Sequence, residues 1–84
     1  MTDWYIRDGR LHGIVTGHPT LEDGTTIATS EIVDINFDLK QVYTQNTCYA
    51  LERIHPRYYE YANRPAELAM MEQLMGRVKG MGGH

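Results

Sequence analysis

The sequence predicts a mainly β domain of the α+β class, a four- to five-stranded antiparallel meander or small barrel with one C-terminal helix. Short β-branched and aromatic runs recur through residues 3–51, each followed by turn chemistry. Apolar residues at helical spacing occur after Pro65. The chain has 84 residues, enough for one domain, 1–84.

The elements follow in order. Trp4-Tyr5-Ile6-Arg7 leads into Asp8-Gly9 and then into Arg10–Thr16. Asp-Gly between two β-prone runs signals a hairpin, because a type I′ turn needs positive φ at both central residues. Strands are expected at 3–7 and 10–16, with Leu11, Gly13 and Val15 on one face and His12, Ile14 and Thr16 on the other. Gly17-His18-Pro19 breaks the ladder, since proline lacks a donor and restricts its predecessor. Asp23-Gly24 makes a second turn, and Thr25–Asn36 is a long β-branched run. Its apolar phase slips, for Ile27, Val33 and Ile35 share a parity that Ile32 lacks, so a bulge is expected at Ser30-Glu31. Phe37-Asp38-Leu39-Lys40 reads as a turn, Gln41–Gln45 as a strand, Asn46-Thr47 as a tight turn or bulge, and Cys48–Leu51 as the last strand of a β-core spanning 3–51.

Residues 52–65 form a Tyr- and Arg-rich loop in which Pro56 can open one helical turn through Tyr61. Asn63 is the expected N-cap, with Pro65 in the first turn of a helix over 66–79. Leu68, Met71, Met75 and Val78 repeat at intervals of 3, 4 and 3, and Met70 and Leu74 widen that stripe. Residues 80–84, Gly-Met-Gly-Gly-His, end the helix as a frayed tail.

Composition narrows the function. Leu, Ile, Val and Phe together number 17, so six tyrosines, five methionines and Trp4 must supply much of the core. A chain this short buries only about 60–65% of its unfolded surface, and such domains are steadied by a disulfide, a metal or a partner subunit. Cys48 is the sole cysteine, which excludes an internal disulfide and favours a reduced, cytoplasmic setting. His12, His18, His55 and His84 form no pair at ligand spacing, so no metal and no cofactor are expected. Self-association is what remains, with Leu68, Met71, Leu74, Met75 and Val78 as the expected oligomer interface. The net charge of -3 argues against nucleic acid and anionic membrane as partners. Its distribution is uneven: residues 1–50 hold seven acids and three bases, residues 51–84 four acids and five bases. No apolar run is long enough to span a membrane, and Met1-Thr2-Asp3-Trp4 lacks the features of a signal peptide.

Catalytic motifs are missing. No phosphate-cradling glycine loop occurs, the acids near turns are explained by turn chemistry, and Cys48 lies in a predicted strand as a buried structural thiol. The chain is therefore expected not to be an enzyme. His18 and His55 each precede a proline and are expected to hold those turns by backbone hydrogen bonds. Tyr58, Tyr59 and Tyr61 lie between Arg57 and Arg64. Rings beside guanidiniums stack on bases and pair with phosphates, but Tyr59 and Tyr61 suit a satellite core; Tyr58 with Arg57 fits either role. Thr29, Ser30, Thr44, Asn46 and Thr47 offer uncharged hydroxyls and an amide suited to a ribose or base edge, and equally to plain strand structure.

Two segments bring a resemblance. Gly13-Ile14-Val15-Thr16-Gly17-His18-Pro19, running on through Asp23-Gly24-Thr25 to Ile27-Ala28-Thr29-Ser30-Glu31-Ile32-Val33, is one; Val42-Tyr43-Thr44-Gln45-Asn46-Thr47-Cys48-Tyr49-Ala50-Leu51 is the other. Together they resemble small phage-encoded anti-defence domains, in particular the Thoeris anti-defence sponge family, over residues 13–51. The resemblance implies a multimer that traps a cyclic nucleotide-type immune signal without cleaving it. It implies Asn46 and Thr44 as ligand contacts, with Thr29 and Ser30 beside them. Arg57, Tyr58 and His18 complete the expected binding set, Arg57 by its phosphate-pairing chemistry. The alternative is an anti-CRISPR-like inhibitor that occludes a host defence protein by direct contact.

Overall fold

A two-residue turn and a set of bulges shape this molecule. The structure, a computed structural model, describes residues 1–76. Strands β1 (Thr2–Arg7) and β2 (Arg10–Val15) form the first hairpin, and Asp8 and Gly9 between them have φ of 54° and 75°. Both are left-handed, as a type I′ turn requires. Strands β3 (Thr25–Asn36), β4 (Gln41–Thr44) and β5 (Cys48–Ala50) continue the meander, and the five pair antiparallel in chain order.

The long β3 carries two slips where the sequence predicts one. Arg10 pairs with Glu31 while His12 pairs with Ala28, and Ile32 pairs with Thr44 while Asp34 pairs with Tyr43. Each slip gives β3 an extra residue, and between them Ile27, Ile32, Ile35 and Phe37 all pack on the core despite their mixed parity. The first half of β3 pairs with β2 and the second with β4, so the sheet turns a corner at the slips.

A third bulge lies in β1, where Thr2 pairs with Ile14 but Tyr5 with His12, and Asp3 stands at φ 50°. It turns Met1 inward alongside Trp4 and Ile6. Gly13 accommodates them: a Cβ there would lie 2.7 Å from Met1 Cγ and 3.0 Å from Trp4 Cα. After β5 the chain runs back along β1. The Met1 ammonium donates to the Ala50 carbonyl at 2.6 Å, the Glu52 N–H to Met1 O at 2.8 Å and the His55 N–H to Trp4 O at 2.9 Å. Trp4 and Ile54 bridge in parallel, so the segment after β5 is drawn back onto the edge of β1.

Helices α1 (Tyr58–Tyr61) and α2 (Pro65–Met75) cover β1. Helix α2 is capped differently from the sequence expectation. Arg64 holds the N-cap position with Pro65 next, while Asn63 donates its side-chain amide to Asp8 Oδ1 at 2.7 Å. The helix ends at Gly76, whose φ of 83° makes the left-handed cap that only glycine adopts freely. Residues 77–84, including Val78 and the tail 80–84, lie outside the described residues.

The core gathers Met1, Trp4, Ile6, Leu11, Val15, Val42, Leu51, Tyr58, Met71 and Leu74. Met71 and Leu74 are fully buried in the chain's own core, so among the described residues of the expected oligomer stripe only Leu68 and Met75 are partly uncovered. Glu67 is buried too, and its Oε2 accepts the Gly9 N–H at 2.7 Å, tying α2 to the hairpin tip. No helix among the described residues is long and apolar enough to cross a membrane.

Candidate functional site

The loop between β2 and β3 is built from within. Gly17, at φ 68°, donates its N–H to Asp23 Oδ1 at 2.8 Å, and Gly24 N–H closes the loop on Val15 O at 2.8 Å. His18 Nδ1 accepts the N–H groups of Thr20 at 3.1 Å and Leu21 at 3.2 Å. This is the turn-holding role expected for His18, and His55 repeats it, its Nδ1 accepting the Arg57 N–H at 3.0 Å. Each ring therefore keeps its proton on Nε2.

Facing that loop, the β4–β5 turn is closed by Thr44, whose N–H and hydroxyl both donate to Thr47 O, at 2.8 Å and 3.1 Å. Between loop and turn lies a cleft of about 220 Å³, walled by His18, Thr47, Cys48 and Tyr49 with Val15 beneath and Glu52 at one side. The His18 and Tyr49 rings are inclined by 27° with centroids 6.5 Å apart. The Met1 ammonium, fully enclosed, lies 3.9 Å from Glu52 Oε1. Among the described residues no Arg or Lys lines these walls.

The expected ligand contacts are dispersed. His18 lines the cleft, and Asn46 is exposed at the turn beside it. Thr44 is buried beneath the turn that it closes. Thr29 is buried as well, its oxygen accepting the Leu11 N–H at 3.1 Å and its hydroxyl donating to Ser30 O at 2.7 Å. Ser30 is half-buried at the bulge. Tyr58 is in the core, while Tyr59 is 57% exposed. Arg57 is exposed, 3.7 Å from Glu60 Oε2, and does not line the cleft.

Cys48 corrects an expectation, for its thiol is exposed. Leu51 and Tyr49 occupy the inward phase of this strand, which leaves Cys48 outside opposite Tyr43. The Tyr43 hydroxyl is pushed above its ordinary value, first by the Cys48 charge and then by burial. Cys48 and His18 share the cleft, yet the His18 Nδ1 lone pair is committed to two backbone donors and Nε2 carries the proton. Such an imidazole donates a hydrogen bond to a ligand; it has no free lone pair with which to activate a thiol.

A second cluster escaped the sequence reading. On the outer face of the β1–β2 hairpin, Tyr5 lies between His12 (4.9 Å, 3°) and Tyr61 (4.1 Å, 17°). His55 stands perpendicular to both tyrosines, at 5.9 Å and 5.1 Å. One half of the cluster was available in principle: a two-residue turn at Asp8-Gly9 dictates that Tyr5 faces His12. Nothing local announces Tyr61 and His55. Burial pushes the His12 imidazole below its ordinary value, against the opposing effect of its hydrogen bond to the Arg7 backbone. Among the described residues no group of three or more His, Cys, Asp or Glu could hold a metal ion.

No protein-family model matches this sequence, and no curated protein and no solved structure matches it either.

Proposed function

We propose that this protein is a phage anti-defence protein of the host cytoplasm that binds a cyclic nucleotide-type immune signal and sequesters it uncleaved. One observation carries the reading. Val15–Pro19 of one sponge-like segment and Thr47–Ala50 of the other are separated along the chain by all of β3 and β4, yet they wall the same cleft. Aromatic rings, a hydroxyl and an imidazole N–H suit a base and a ribose. The cleft is smaller than the roughly 300–1,000 Å³ that encloses a drug-sized ligand, so a second copy completes the site. That copy also supplies the cation for the phosphate, since Arg57 stands clear of the cleft of its own chain.

Native mass spectrometry with cyclic dinucleotides, cyclic trinucleotides and cyclic ADP-ribose isomers tests this. The expected result is an oligomer that retains one of these ligands at unaltered mass, with retention reduced in His18→Ala and Asn46→Ala. A protein that retains none of them, or releases a product of changed mass, overturns the reading. The second reading is a protein inhibitor that occludes a host defence effector. It is favoured by Val33 and Leu39, which are 60% and 65% exposed near one end of the sheet. Capture of one defence protein in stoichiometric amount, without any nucleotide, supports it instead.

A further inference from the structure

The aromatic cluster on the outer face of the first hairpin borders a second cleft, of about 280 Å³. Its walls are Tyr5, Tyr61 and His55, its floor is Ile14 with the bare backbone of Gly13, and its polar rim is Asp3 and Thr26. Strand register accounts for the floor and rim. Thr2 pairs with Ile14 and Ile14 with Thr26, so the β1 bulge, Ile14 and Thr26 form one cross-strand row. The bulge, with Asp3 at φ 50°, sets the Asp3 carboxylate at the end of this row.

Among the described residues no ion pair meets the charge of Asp3. The two arginines of the same hairpin are occupied elsewhere: Arg7 lies 3.9 Å from Asp8, and Arg10 donates to Thr29 O at 3.1 Å. Among the described residues the ion pairs leave Asp3 out, and no Lys or Arg lines the cleft. A carboxylate at the rim of this aromatic and aliphatic cleft selects for a positive charge that carries alkyl groups, because the carboxylate attracts the cation and alkyl groups gain by leaving water.

We infer that this cleft binds a small organic cation, its ammonium head against Asp3 and its alkyl groups against Tyr61, Tyr5 and Ile14. This site is separate from the His18 cleft, with which it shares no lining residue.

The probes are choline and its uncharged isostere 3,3-dimethyl-1-butanol, titrated at constant ionic strength into the intact protein and followed by backbone amide NMR. Choline is expected to produce saturable shifts at Asp3, Tyr5, Gly13, Ile14, Thr26 and Tyr61, and the isostere none. Asp3→Asn keeps a residue that tolerates left-handed φ and is expected to weaken choline binding about tenfold. Tyr61→Leu is expected to weaken it less, and Asp38→Asn, in the distant β3–β4 turn, to leave it unchanged. Each variant's unliganded spectrum reports whether the sheet is intact. Equal shifts from choline and the isostere, no saturable shift from choline, or full binding by a folded Asp3→Asn each overturns the inference.

Discussion

Two hairpins of this domain, β1–β2 and β3–β4, are both built from β-branched and aromatic runs but have different surroundings. In β1–β2, Trp4, Ile6 and Leu11 are almost fully enclosed in one core with Met71 and Leu74 of α2, while Tyr5 and His12 on the other face are stacked under Tyr61. In β3–β4 the inner side is anchored by Val42, but Val33 and Leu39 project into solvent. There Asp34 turns its carboxylate back onto the Ile35 N–H at 2.9 Å, occupying a donor that another strand could have used. Period-two patterning gives both hairpins strands. Only the first is covered on both faces, and that coverage, not the strand signal, concentrates stability in it.

The largest effect that probes this difference is expected at Gly13. Its neighbours leave no room for a methyl group, and one of them is the Trp4 backbone, which cannot swing aside as a side-chain tip can. Gly13→Ala is expected to cost about 1–3 kcal/mol, as overpacking in a core does, read from the urea midpoint at unchanged slope. A loss below about 0.5 kcal/mol, the range of ordinary surface changes, places the β1 bulge outside the rigid part of the molecule.

Legibility in the sequence follows the same division. The Asp8-Gly9 turn, the strand positions and the inward row Leu11, Gly13 and Val15 are set by local chemistry, and all appear in the structure. The slips of β3 were half visible, because parity shows that a strand bends but not how many extra residues it carries. The end of α2 was misplaced because an apolar period says nothing about which glycine turns left-handed. For the candidate site, His18 was legible from its place before Pro19, but Tyr49 and Met1 were not, since the long-range bond from Met1 to Ala50 brings them there. Thr29, Thr44 and Tyr58 show the converse error. Side chains with the right chemistry for a ligand also have the right chemistry for the chain's own bulge, turn and core.

A smaller effect is expected from His12, whose folded-state pKa is lowered chiefly by burial. The neutral ring is thus favoured in the fold, and its contribution is complete above the unfolded value of about 6.5. It is lost as the pH falls from there through the lowered folded value. His12→Phe keeps a ring to stack on Tyr5 and removes the titration. The stability of the parent relative to this variant is expected to decline as the pH is lowered below about 6.5, since every other side chain is common to the two proteins. A constant difference between pH 7.5 and 5.0 means that the stack does not desolvate His12.

The smallest effect is expected at Val33. With its side chain mostly in water, Val33→Ala removes little burial and is expected to change stability by no more than about 0.5 kcal/mol. Protein concentration decides what a larger loss means. If the cost of Val33→Ala exceeds about 1 kcal/mol and grows with the concentration at which unfolding is measured, a second copy covers this hairpin in solution. The contrast between the hairpins then holds only within a single chain: the first is buried by its own helices and the second by its neighbour. A large loss that is independent of concentration assigns the cost instead to the strand itself, where Val33 lies at the second slip and a β-branched side chain steadies the extended backbone.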